Sequence, residues 1–184
     1  RRIFWFHPLR VRNTAATLIH VEHSYSREWA RLSVPHFARF RAMMRLALKP
    51  VDKIIVVSKA SKQWMAKSAM ASEDKLQVIY PYSNVPGLSE VPAVAVSADA
   101  PLIIGAYGRF CEAKGFDRLI DAFRRTDDID NLQLIIGGFG ADEPILRDKA
   151  AGCDRIRFAG KITDVAGFLS QCHVIAVPSR YEAY

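Results

Sequence analysis

The 184 residues suffice for one large or two small domains, and with half of them hydrophobic they can bury a core. No uninterrupted apolar run reaches the roughly 18 residues that a membrane span needs, and Cys111, Cys153 and Cys172, odd in number and without Cys-x-x-Cys spacing, argue against a disulfide framework and a zinc site. The formal charge of +7 is uneven: residues 1–84 hold 15 Lys and Arg against 5 Asp and Glu, whereas residues 85–184 hold 11 against 14. Such a split points to two units with different partners.

The chain opens on Arg1-Arg2 followed by Ile3-Phe4-Trp5-Phe6, too short for the apolar region of a signal peptide, and it reads as the interior of something longer. Thr17–Val21 and Lys53–Val57 read as strands, and Leu76–Tyr80 as a shorter one. His36–Lys49 has helical periodicity, with Phe37, Phe40, Met43, Met44, Ala47 and Leu48 on one face and Arg41, Arg45 and Lys49 on another. A further helix runs to Met70 from a cap at Ser58 or Ser61. Residues 1–84 therefore form a first Rossmann-like unit that lacks its opening strands. Residues 85–100, rich in Pro, Ser, Ala and Val without a useful period, read as a linker.

In residues 101–184 four strands alternate with three helices. The strands are Leu102–Tyr107, Leu132–Ile136, Ile156–Phe158 and His173–Val177, and the helices Phe116–Arg125, Glu143–Ala150 and Asp164–Gln171. This order predicts an α/β unit with a parallel, doubly wound sheet, whose ligands bind outside the carboxyl ends of the strands. Arg109 and Lys114 follow the first of these strands, five residues apart across a loop. They can converge on one diphosphate, Arg as a fork of donors and Lys as a point charge, or they can be two solvated cations. Neither a Gly-x-Gly-x-x-Gly fingerprint nor a P-loop is present. Gly137-Gly138-Phe139-Gly140 is either a close-approach bed for a phosphate or sugar or the turn of a strand-to-helix junction. Glu182 lies behind the last strand, where it is a helix-start carboxylate or a site residue. His20-Val21-Glu22-His23 could start a metal sphere but makes an incomplete one.

The ordered series Gly108-Arg109-Phe110, Lys114-Gly115-Phe116, Gly137-Gly138-Phe139-Gly140, Phe158-Ala159-Gly160 and Pro178-Ser179 with Glu182 resembles the donor domain of retaining, GT-B-fold glycosyltransferases of the family 4 type. The resemblance implies two Rossmann-like units joined by a linker, both incomplete here. It implies that Arg109 and Lys114 hold a donor diphosphate with Gly108 and Gly138 nearby, that Lys161 and Ile162 neighbour the base, and that Glu182 lies beside the donor sugar. His23, or else His20, then stands near the transferred sugar. A second Glu, eight residues beyond Glu182, would fall past Tyr184, so little or no turnover is expected of the chain by itself.

The implied reaction moves a sugar from a nucleoside diphosphate to a saccharide or lipid-linked acceptor with retention, needs no metal cofactor, and belongs in the cytoplasm or at the inner face of the membrane. The Arg41, Arg45 and Lys49 row suits an anionic lipid surface, or simply a helix packed by its apolar face with its charges in water. Nucleic acid is not expected as a partner, since no helix-turn-helix, zinc finger or RNP motif is present. The competing reading is a non-catalytic basic module that binds an anionic surface, with the second unit as scaffold.

Overall fold

The structure is a computed structural model that describes residues 16–82, 87–97 and 99–182. The readings placed on Arg1–Phe6, Ser83 and Asn84 lie outside the described residues. The chain divides into two compact units at Tyr82/Ser83, and residues from Tyr181 onward group with the first.

In the first unit, strands β1 (Ile19–Glu22), β2 (Lys53–Val56) and β3 (Leu76–Val78) form a parallel sheet in that order. Helices α1 (Arg27–Ser33), α2 (Phe37–Leu48) and α3 (Lys59–Lys67) connect them. The alternation of β2 sends Ile54 and Val56 inward, where they pack with Met44 and Leu48 of α2, Met65 of α3, Met70 and Leu76. Each such fully buried side chain stabilises the unit by about 1.5–3 kcal/mol. The charges of α2 stay in water, Arg41, Arg45 and Lys49 being exposed; of the expected apolar face Met44 and Leu48 are buried, whereas Phe37 and Ala47 are exposed.

Two elements differ from expectation. Helix α1 is additional; Ser26 starts it, its hydroxyl oxygen accepting the Trp29 N–H at 3.2 Å. Helix α3, capped by Ser58 through the Ser61 N–H at 3.1 Å, stops at Lys67 instead of reaching Met70. Ala69 there adopts a left-handed φ of 50°, and the chain turns back so that the Met70 N–H donates to the Met65 carbonyl.

The second unit has strands β4 (Leu102–Arg109), β5 (Leu132–Phe139), β6 (Ile156–Gly160) and β7 (Val174–Ile175), all parallel, in the order β6-β5-β4-β7. Helices α4 (Phe116–Phe123), α5 (Glu143–Ala150) and α6 (Val165–Leu169) alternate with them. Asp164 caps α6 by accepting the Gly167 N–H at 2.9 Å. The core joins Leu134 and Ile136 of β5, Ile120 and Phe123 of α4, Leu146 of α5, and Phe110. Strands β4 and β5 run longer than their apolar stretches. Gly108 and Arg109 are strand residues, and so are Gly137, Gly138 and Phe139, because hydrogen-bonded pairing with a neighbour carries them past the point where hydrophobicity ends. The chain steps from β4 through β5 to β6 on one side and then crosses to place β7 on the other. The strand order therefore reverses at β4, and the crevice outside such a reversal is where open α/β sheets take ligands.

Candidate functional site

At the carboxyl ends of β4 and β5, Gly108 pairs with Gly138 and Arg109 with Phe139. Gly108 and Gly138 have φ values of 154° and 147°, which side-chain-bearing residues rarely adopt. A Cβ on Gly138 would overlap the Gly108 carbonyl oxygen and press on Phe110, and one on Gly140 would overlap the Phe110 carbonyl oxygen. The three glycines thus let two strand ends and the next loop lie against one another as bare backbone. The turn to α5 begins only at Gly140.

Behind Arg109 the chain turns inward at Phe110, which is 1% exposed and meets Phe116 and Phe158 edge to face at 5.3 and 6.2 Å. That anchor fixes the root of the loop. Its N–H donates to the Phe139 carbonyl at 2.8 Å, and a single 3₁₀ turn, Glu112–Lys114, leads to Gly115, left-handed at φ 66°, and into α4. Arg109 is exposed and Lys114 half-buried, so one cation stands on the last residue of β4 and one on the loop that follows.

The segment behind β7 is tied to this same loop. The Arg180 N–H donates to the Ala113 carbonyl at 2.8 Å, and its guanidinium donates to the Glu112 carbonyl at 2.5 Å and to both oxygens of Asp117 at 2.8 and 2.6 Å. A Cβ on Gly115 would overlap the Pro178 carbonyl oxygen. The hydrogen bond from Arg180 holds the Asp117 carboxyl below its ordinary range, outweighing the opposing effect of partial burial. None of these partners carried a signal in the sequence, since Arg180 and Asp117 are 63 residues apart.

The other expected site residues are distributed as follows. Lys161, exposed just past β6, holds its ammonium 5.4 Å from the ring centroid of Phe139, an exposed aromatic at the end of β5. Ile162 packs with Ile135, Phe168 and Cys172, and rests where a Cβ on Gly137 would otherwise be. Cys172 is a core residue whose thiol burial pushes up. Glu182 is exposed and groups with the first unit rather than with the strand that precedes it.

In the first unit, His20 lies on β1 and His23 is exposed just past its end. Glu22 between them is 6% exposed. One of its oxygens accepts the N–H groups of Ser24 and Tyr25 at 2.7 and 2.9 Å, and the other lies 3.4 Å from His20 Nε2. Burial pushes this carboxyl up, yet the hydrogen bonds from His20, Ser24 and Tyr25 together hold it below its ordinary value. Its oxygens thus serve the turn. Among the described residues no three His, Cys, Asp or Glu side chains are grouped to hold a metal ion.

Residues 101–184 match the family model for Glycosyl transferases group 1. That stretch resembles a group 1 glycosyl transferase domain. Two relatives from Rhizobium meliloti (strain 1021) are lipopolysaccharide core biosynthesis glycosyltransferases. LpsE is 34% identical over 108 residues, 54% of this chain and 31% of its own length, and LpsD is 35% identical over 88 residues, 46% and 24%. Among solved structures, Anabaena Alr3699/HepE in complex with UDP and glucose is similar with a TM-score of 0.62 at 18% identity, over 91% of this chain and 47% of that one. TarM follows at 0.69 and 16%, over 93% and 34%, and WaaG, a glycosyltransferase involved in lipopolysaccharide biosynthesis, at 0.62 and 14%, over 90% and 51%. At these identities the structural likeness is one of fold, the GT-B fold of partial Rossmann-like units. The chain spans less than a third of its curated relatives and about half or less of these structures. Within the matched residues lie the glycine pair, Arg109, Lys114 and the Arg180–Asp117 bridge.

Proposed function

We propose that the chain is part of a retaining glycosyltransferase that moves a sugar from a nucleoside diphosphate to a saccharide or lipid-linked acceptor. The observation that carries this reading is the bare backbone of Gly108 and Gly138 at the strand-order reversal, with Arg109 at the end of β4 and Lys114 on the loop that leaves it. As the glycosidic bond breaks, negative charge builds on the leaving diphosphate. Cations fixed beside it stabilise the transition state more than the ground state. Arg109 offers a planar fork of donors and Lys114 a compact charge, and the glycines let main chain come within reach of oxygens that a Cβ would hold off. No metal is needed in this scheme, because the two side chains supply the positive charge.

The remaining roles follow from the same chemistry. Lys161 and Ile162, behind β6, neighbour the base, with Phe139 beside Lys161 as an exposed ring. Glu182 accepts from the donor-sugar hydroxyls and faces the positive charge at the anomeric carbon. His23 serves the acceptor side, where an imidazole can bond a sugar hydroxyl, and His20 is the alternative. The likeness to HepE, whose structure contains UDP and glucose, supports a uridine donor as the first to try. A cytoplasmic setting fits the three cysteines, all of which are free thiols.

Saturation-transfer NMR of the chain with UDP-glucose, GDP-mannose and ADP-glucose tests the reading. Transfer to the base and sugar protons of one donor, undiminished by EDTA, is expected. No transfer to any of the three would refute it.

A further inference from the structure

Arg180 has no role in the scheme above, yet it is among the most heavily bonded side chains of the second unit. It reaches one carboxylate through two donors and a main-chain carbonyl through a third, while its own N–H joins the loop at Ala113. Its side chain is 13% exposed and that of Asp117 31%, so water screens the pair only in part. A two-donor bridge of this kind fixes angle as well as distance. What it fixes is informative. On one side is the Glu112–Gly115 turn, which carries Lys114 and starts α4; on the other is the segment that leaves β7. Gly115 adds to the fit, because only a residue without a Cβ lets the Pro178 carbonyl settle against it. Strand β7 itself is held to β4 by two residue pairs alone, Ile104 with Val174 and Gly105 with Ile175. A strand so short gives its exit loop little definition, and the bridge supplies it.

We propose that Arg180 is a positioning residue for the diphosphate site: through Asp117 and the Glu112 and Ala113 carbonyls it locks the β7 exit to the Lys114 loop, so that the cation of that loop is presented in one orientation. The inference rests on the sugar-transfer reading and adds to it a residue that touches neither donor nor sugar. Lys114 lies in the turn that receives the bridge, one residue from Ala113. Releasing the bridge frees that turn to move, and misplacing a binding group by about 1 Å is enough to cost as much as a hundredfold.

Calorimetric titration of the full chain with UDP, GDP and ADP, in wild type, R180A, R180K, D117N and the double variant R180A/D117N, tests this. For whichever nucleotide the wild type binds, R180A and D117N should each weaken binding about tenfold, the double variant should be no weaker than either alone, and R180K should recover most of the loss. D117N keeps the shape of the side chain, so the test survives an R180A that does not fold; near-ultraviolet circular dichroism at the titration temperature identifies that case. Weakening by R180A with D117N at wild-type affinity would place Arg180 on the ligand itself and overturn the proposal. Wild-type affinity in all folded variants would make the bridge a stabilising contact only and would also overturn it, while leaving the nucleotide site standing. Silence of the wild type with all three nucleotides would remove the site and this inference together.

Discussion

Gly138 lies against Gly108 so closely that no side chain fits between them, since its Cβ would overlap the Gly108 carbonyl oxygen. The contact is backbone on backbone within a paired strand, so neither partner can swing away without breaking the β4–β5 ladder. Gly138→Ala should therefore destabilise the second unit by about 2–4 kcal/mol, from the clash and the strained φ together. Gly152→Ala is the control. It shares a positive φ of 76° but meets nothing within 4 Å, and should cost only about 1 kcal/mol. Urea unfolding of the two variants makes the comparison.

Glu22 makes the first unit sensitive to acid. Its carboxyl is held below the ordinary glutamate value of 4.5, with burial opposing and the His20, Ser24 and Tyr25 hydrogen bonds prevailing. A depressed folded-state value means that the contribution is complete above the unfolded value and fades as pH falls through the folded one. Stability of the first unit should be level above about pH 5 and decline below it. In Glu22→Gln the decline should be shallower, and stability at neutral pH should be lower by about 1–3 kcal/mol, because an amide oxygen is a poorer acceptor for the two part-buried N–H groups. Thermal unfolding between pH 3 and pH 7 checks both.

Asp117 plays the corresponding part in the second unit. Its carboxyl lies below the ordinary aspartate value of 3.8, chiefly through the hydrogen bond from Arg180. The bridge should be intact at neutral pH and fail as the carboxylate is protonated below that value. Proteolysis after Arg180 should then rise in acid in the wild type, and be raised and nearly independent of pH in Asp117→Asn. A protease active in acid, with cleavage followed by mass spectrometry, makes the measurement.

Much of the fold was legible in the sequence because the buried strands are apolar runs and the helices carry their own start signals, such as Ser58 and Asp164. Helix α2 matched its expected span to within a residue at each end, its face defined by Met44 and Leu48. The seven-residue α1 was missed because it is too short to show a period, though Ser26 followed by Glu28 in the first turn is a usable start signal. The ends of β4 and β5 were set too early because glycine carries no hydrophobicity, whereas ladder pairing does not require any. Arg109, expected in the loop behind the strand, is the last residue of β4, and Lys114 ends the 3₁₀ turn that follows. Relationships between distant residues were not legible: the Arg180–Asp117 bridge joins residues 63 apart, and Glu22 reads in sequence like half a metal site while its oxygens are taken up by neighbouring N–H groups and a histidine.

Phe110 should prove the most costly aromatic of the second unit to remove. It is 1% exposed, holds the root of the Arg109–Lys114 loop, and its carbonyl accepts the Asp142 N–H at 3.3 Å as α5 begins. Phe110→Ala should cost about 3–5 kcal/mol. Hydrogen exchange should show loss of protection concentrated in residues 108–116 and 138–142, with the first unit unchanged.

The central claim is that the β4 end is a diphosphate site, and isothermal titration of the chain with UDP, GDP and ADP tests it most directly. The account predicts binding of at least one, weakened tenfold or more in Arg109→Ala and in Lys114→Ala and unchanged in Arg118→Ala, a cation of α4 that has no part in the scheme. Affinity indifferent to both Arg109 and Lys114, or no binding of any of the three, would contradict it.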